Sequence, residues 1–139
     1  MSETKINAAL VSAYLASGLY PADRTACEGK AFAPVTGQPW ARLTDIPTGR
    51  EPAAFGDVNP VERTGYLQID IFHPNNTGTC PILADADKAL SFYKPGLGLE
   101  YQGQRVHIRK AERSKITPET VWTGISIFVY YTAWIFPAA

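Results

Sequence analysis

Charge imbalance is the first thing missing from this chain of 139 residues, where 13 lysines and arginines meet 13 aspartates and glutamates. A chain without net charge sets up no long-range attraction to nucleic acid or to an anionic membrane. DNA in its surroundings is therefore expected to be tolerated rather than gripped. Cysteine is scarce: Cys27 and Cys80 are the two the chain has. Two cysteines do not make a disulfide scaffold, and the first nine residues carry no apolar segment of the kind a secretory signal needs, so free thiols in a reducing compartment are expected. Long hydrophobic runs are missing too. The one candidate, 121–136, is interrupted by Thr123, Gly124, Ser126 and Thr132. It is shorter than the ~20 apolar residues of a membrane helix, and its β-branched and aromatic content reads as a strand. The sequence also lacks a G-x-x-x-x-G-K-[ST] loop, a G-x-G-x-x-G turn, a G-x-S-x-G elbow and an H-E-x-x-H helix, which removes the usual signatures of nucleotide, hydrolase and metalloprotease sites.

What is present is globular. A hydrophobic fraction of 45% with 19% charged residues fits one folded domain, and at this length roughly two thirds of the unfolded surface can be buried. Ile6, Leu10, Ala13 and Tyr14 recur at helical spacing and predict a helix over 4–17, with Gly18 as its stop. Residues 27–32 form a weak strand candidate ended by Pro34. Trp40, Arg42 and Thr44 alternate with Ala41, Leu43 and Asp45, predicting a strand over 40–46. Leu67, Ile69 and Ile71 alternate with Gln68 and Asp70 in the clearest strand of the chain. The turn residues from His73 to Thr79 end it, and a helix follows with Thr79 as cap, Pro81 in the first turn, and a stripe of Ile82, Leu83, Ala86, Ala89, Leu90 and Tyr93. Residues 104–111 read as a strand with Val106 and Ile108 inward, and 114–118 as a turn. The predicted fold is α+β: one domain with a mixed, mostly antiparallel sheet of four to five strands flanked by two helices.

Two segments do not fit a minimal domain. Residues 47–63 hold three prolines and two glycines with little periodicity. They read as a loop of about 17 residues, a length that is usually functional or mobile. The terminal strand, 121–136, would span roughly 50 Å at about 3.3 Å per residue, against a compact domain roughly 37 Å across. It is expected to bend at a bulge, with Gly124 as the candidate, or to project into a neighbour. Its end, with Trp134, Ile135 and Phe136, is apolar on both faces, which points to an oligomer contact.

The polar residues offer several candidate chemistries. Cys80 at a helix N-terminus, with His73 near it and Asp85 or Asp87 as orienter, can be written as a nucleophile and base, but no motif supports that placement. His73, His107 and the two cysteines lack the short paired spacings of a structural zinc site. Gly96-Leu97-Gly98 is an ordinary turn. Asp85 and Asp87 read as a solvated helix edge. Arg105, His107, Arg109 and Arg113 share one strand face, a basic stripe suited to DNA or to an acidic protein and otherwise a solvated face.

The order of short motifs resembles a known family. After the N-terminal helix come Glu28-Gly29-Lys30-Ala31-Phe32-Ala33-Pro34 and Pro39-Trp40-Ala41-Arg42-Leu43. Then follow Thr64-Gly65-Tyr66-Leu67-Gln68-Ile69-Asp70-Ile71-Phe72 with Pro74 and Thr77-Gly78, the helix with Ala84-Asp85-Ala86, Leu90 and Phe92, and a last strand from Trp122 to Tyr131. In this order the chain is similar to the tail terminator, or tail completion, proteins of long-tailed bacteriophages. The resemblance implies a virion structural protein without enzymatic activity or cofactor, its copies forming a ring (hexameric in this family) on the head-proximal end of the tail tube. That ring would stop tube polymerisation and offer a docking surface to the head connector, with DNA passing through its lumen without specific binding and no membrane involved. Arg50, Phe55, Asp57 and Arg63 in the 47–63 segment are the expected tube contact, and Trp134, Ile135 and Phe136 the expected contact between subunits. The alternatives are a head-side connector or neck protein of the same virion, and a small cytosolic enzyme using Cys80 and His73.

Overall fold

The computed structural model describes residues 3–52 and 60–136. Helix α1 (Glu3–Ser17) is followed by a short 3-10 turn (Ala22–Arg24), β1 (Thr25–Ala26), β2 (Trp40–Pro52), β3 (Val61–Pro74), α2 (Cys80–Phe92), β4 (Gly98–Tyr101), β5 (Gln104–Arg113), β6 (Thr117–Pro118) and β7 (Trp122–Ile135). The architecture is α+β: two helices on a curled sheet ordered β1-β2-β3-β7-β5-β4, with β6 also paired to β7. The β1–β2 pair is parallel and the others are antiparallel. The strands outnumber the four to five expected because β4 and β6 are short and lie in segments whose glycines and prolines read as turns.

Period-2 burial builds the core. Ala41 and Leu43 on β2, Leu67, Ile69 and Ile71 on β3, Ile125, Ile127 and Val129 on β7, and Val106 and Ile108 on β5 all face the same side and are buried. Ile6, Leu10 and Tyr14 of α1 and Ile82, Ala86 and Ala89 of α2 close over that side as one cluster. Thr79 occupies the N-cap of α2 but makes no side-chain cap bond. The predicted 27–32 strand is not one; pairing there is confined to Thr25 and Ala26, opposite Ala41 and Arg42.

Three strands carry the length. β3 pairs with β7 residue for residue from Val61–Ile135 to Pro74–Trp122 without a break. Gly124 is therefore not a bulge. Its missing side chain leaves room for the Phe72 ring, which would stand 3.2 Å from a Cβ there. The register shifts occur in the flanking strands instead, between Pro47 and Gly49 in β2 and between Ile108 and Lys110 in β5, and such bulges add bend and twist. The expected loop over 47–63 is also corrected. Residues 47–52 and 61–63 are paired strand, because the part of β2 beyond its short β1 partner is an edge, where Pro47 and Pro52 lack no partner for a missing donor. Among the described residues no helix is long and apolar enough to cross a membrane.

Candidate assembly surfaces

The far end of the β2–β3 hairpin is where α1 begins. Arg63, 4% exposed, points under the helix start, and its Nε donates to Glu3 at 3.0 and 3.1 Å. Its Nη1 donates to the Tyr131 hydroxyl at 2.8 Å, and that hydroxyl donates to Asp45 at 2.6 Å. Burial first, then the bond to Asp45, pushes the Tyr131 phenol above its ordinary value, so it remains a donor. Gly65 is needed here because a Cβ would stand 2.7 Å from the Ile46 carbonyl, 2.8 Å from Arg63 Nη1 and 2.9 Å from the Tyr131 hydroxyl. Arg50 donates to Glu3 at 2.7 Å from a half-exposed side chain. Of the four expected tube-contact residues, then, Arg50 is at the surface and Arg63 is enclosed. Phe55 and Asp57 lie outside the described residues.

At the end of β7, Trp134 (36% exposed) and Phe136 (50%) are among the large exposed hydrophobics, while Ile135 packs partly against the core. The Trp134 ring meets His107 edge-on at 5.5 Å. The sequence predicts an end apolar on both faces; Trp134 and Phe136 are exposed, whereas Ile135 finds a partner within the same copy.

The residues considered for chemistry are joined differently from the expectation. His73 Nε2 lies 2.7 Å from Asp85 Oδ2, and the Tyr20 hydroxyl, 3.2 Å from the same ring nitrogen, donates to the same carboxylate. His73 is 6% exposed and Tyr20 is 5% exposed. Asp85 is thus no solvated helix edge; it ties α2 to the end of β3 and to the segment after α1. Cys80 is exposed, Cys27 is half-buried, and both thiols are free. Among the described residues no group of three or more histidines, cysteines or carboxylates could hold a metal ion. A cavity of about 340 Å³ between α1 and β2 includes Cys27, Leu43, Asp45, Leu67 and Tyr101 in its lining. The Glu28 carboxylate on its rim is taken up by the Asp45 backbone N–H at 2.6 Å.

The basic stripe is split. The bulge at Arg109 shifts the β5 period by one, so Arg105, His107 and Lys110 share the face away from the helices. Arg113, opposite Ile127, falls on the other.

That helix-free face is the surface the sequence reading missed. Trp40 stacks on Phe72 at 4.3 Å, with Phe32 at 5.2 Å and Trp122 edge-on at 6.0 Å. Further along, Tyr66 meets Phe128 at 5.8 Å and Tyr130 at 5.4 Å, and Lys110 Nζ lies 4.9 Å over the Tyr130 ring. Between the two aromatic groups, Asp70 takes Arg42 at 3.0 Å, Gln68 at 2.8 Å and Ser126 at 2.5 Å. The signal was present as aromatic residues at the positions alternating with the core. It becomes a surface only when the register sets β2, β3 and β7 side by side.

The family model described as phage tail terminator protein matches residues 5–131. A solved structure superposes with a TM-score of 0.77 over 99% of this chain and 99% of its own length, at 18% sequence identity; that likeness speaks to the fold. No match was found among curated proteins.

Proposed function

Since this chain belongs to the phage tail terminator protein family, a family of structural virion proteins of the tail without enzymatic activity, we propose that its copies close into a ring, a hexamer, at the head-proximal end of the tail tube. Membership implies contact with the tail tube. In this proposal one side of the ring sits on the last tube ring, ends polymerisation because its other side accepts no further tube subunit, and offers that other side to the head connector. DNA passes through the lumen without specific binding. The observation that carries the reading is the family match over nearly the whole chain.

The physical character of the molecule supports it. A neutral chain suits a channel wall that must not hold DNA. Three strands running side by side give a rigid body with a distinct end and a distinct face. The tube contact is assigned to the hairpin end, with Arg50, Phe55 and Asp57 as its contact residues and Arg63 holding the base in place through Glu3. The contact between copies includes Trp134, Ile135 and Phe136. Apolar area supplies affinity in such contacts, and charged rims set register.

The test is the length distribution of tail tubes in lysates with and without this chain, measured by electron microscopy. Overlong, headless tubes in its absence, corrected by adding the purified protein, are expected. Tubes of normal length that fail to join heads would move the protein to the head-side connector.

A further inference from the structure

Resting on the ring reading above, we propose that the helix-free face of the sheet is where one copy receives the next, and that the segment 30–38 of the neighbouring copy seats on it. A face without helices still needs a reason to be covered. Here the reason is its composition: the group of Tyr66, Phe128 and Tyr130 is half-buried with no helix over it, while the Trp40 group is already topped by Phe32 of the same copy. Contiguous apolar surface of this kind marks an interaction site.

The charges on this face select the occupant. Arg42 is paired with Asp70 at 3.0 Å, Lys110 with Glu112 at 3.1 Å and Arg105 with Glu100 at 3.7 Å, all within one copy. Basic groups so paired leave no excess positive field for a phosphate backbone, and nucleic acid binding depends on such an excess. A neutral protein surface fits, and a second copy of this chain, with net charge zero, approaches without repulsion.

Area agrees. β3 and β7 are 14 residues long and β2 is 13. With β5 alongside, strand spacings of about 4.8 Å and a rise of about 3.3 Å give a footprint on the order of 14 by 46 Å, roughly 650 Å² before side chains are counted. A stable interface takes about 800 Å² from each partner.

A ring further requires that two different patches meet, because a patch that pairs with itself closes a dimer. The second patch is the segment 30–38. It pairs with no strand; backbone hydrogen bonds of turn type hold it from Cys27 to Lys30 and from Val35 to Gln38. Ala31, Ala33 and Pro34 are exposed and Val35 is 58% exposed, an apolar run turned to solvent. Phe32, set against Trp40, anchors it at one end of the face of its own copy, so the rest extends from there toward a neighbour. Its other end is held too, where Arg24 donates to the Pro39 carbonyl, so the segment projects as a loop and reaches at most roughly 15 Å onto the receiving face.

Native mass spectrometry of the full chain tests this with complementary variants. The wild type should give a single closed ring. Phe128→Arg spoils the face and Val35→Asp spoils the segment; each should give monomers whose circular dichroism melts stay cooperative. Mixed together, they should form heterodimers and stop there, since one intact face then meets one intact segment. Leu15→Glu, on the exposed side of α1, should leave rings intact. If Phe128→Arg does not fold, Tyr66→Arg in the same cluster replaces it. A monomeric wild type, rings persisting in either spoiled variant, or no heterodimer on mixing would overturn the proposal. The two readings fail separately. Rings that survive Phe128→Arg while tubes still end normally remove this contact and leave the terminator function. Tube lengths indifferent to the chain remove the function and leave the contact.

Discussion

At Asp85 one carboxylate accepts from the His73 ring and the Tyr20 hydroxyl, so a single residue joins α2, the end of β3 and the segment after α1. Burial alone would raise this carboxyl. The two hydrogen bonds, with attraction to His73 and Lys88, outweigh it and hold Asp85 below the usual carboxylate range. A depressed folded value means that the ionised form is favoured by folding. The stabilisation is complete above the unfolded value, about 4, and is lost as pH falls through the lower folded one. Asp85→Asn should therefore cost about 2 kcal/mol at neutral pH, the scale of leaving buried partners poorly matched. In urea denaturation that gap to wild type should shrink below about pH 4; a gap independent of pH would mean that the carboxylate charge is not what matters. Gly65 acts by space rather than charge. An added Cβ would press on the Ile46 carbonyl, which is backbone and cannot swing away, and on the two partners of the Arg63–Tyr131 bond. Gly65→Ala should cost about 2 kcal/mol in the same measurement, and unchanged stability would show that the hairpin base can open freely.

Among elements, those governed by a local period were legible in the sequence. The 4–17 helix is Glu3–Ser17, and the stripe from Ile82 to Leu90 belongs to Cys80–Phe92, with Tyr93 as its C-cap. The alternation around Ile69 lies in β3, because one buried face writes a period into the chain regardless of partners, and the β-branched and aromatic run at the end of the chain is β7. What could not be read depends on pairing. Pro47 and Pro52 argue for a loop until β2 is seen to be an edge strand there, where proline is tolerated. The bulge in β5 is silent in the sequence, yet it moves Arg113 off the face that strict alternation gives to Arg105 and His107. The same holds at the candidate contacts. Arg63 reads as a surface cation, but its partner Glu3 lies 60 residues earlier, on the first turn of α1. The apolar character of Trp134 and Phe136 was legible, but not that Ile135 between them turns partly to the core while they stay exposed.

For the whole molecule, the long axis of the β2–β3–β7 ribbon separates two kinds of contact. The hairpin points along the strands, so it can meet a partner stacked end-on, as a tube ring is in the proposed arrangement. The aromatic face points across them and can meet only a neighbour at the side. If stacking and closure use these separate surfaces, they can be broken one at a time. Deleting residues 53–58 shortens the connection between Pro52 and Val61 and removes none of the described core residues, and changes at a strand connection are tolerated when little buried structure depends on them. The expected result is a chain that still folds and still forms rings by native mass spectrometry, but no longer sediments with purified tail tubes. Phe128→Arg should behave in the opposite order, losing the ring first and the tube with it, because a tube end repeats its subunits around the axis and a lone copy binds it through one contact instead of several. Attachment retained after the deletion would take the tube contact away from the hairpin. Rings lost along with it would show that end and face are one surface, and the ribbon would then be a single interface rather than an axis with two.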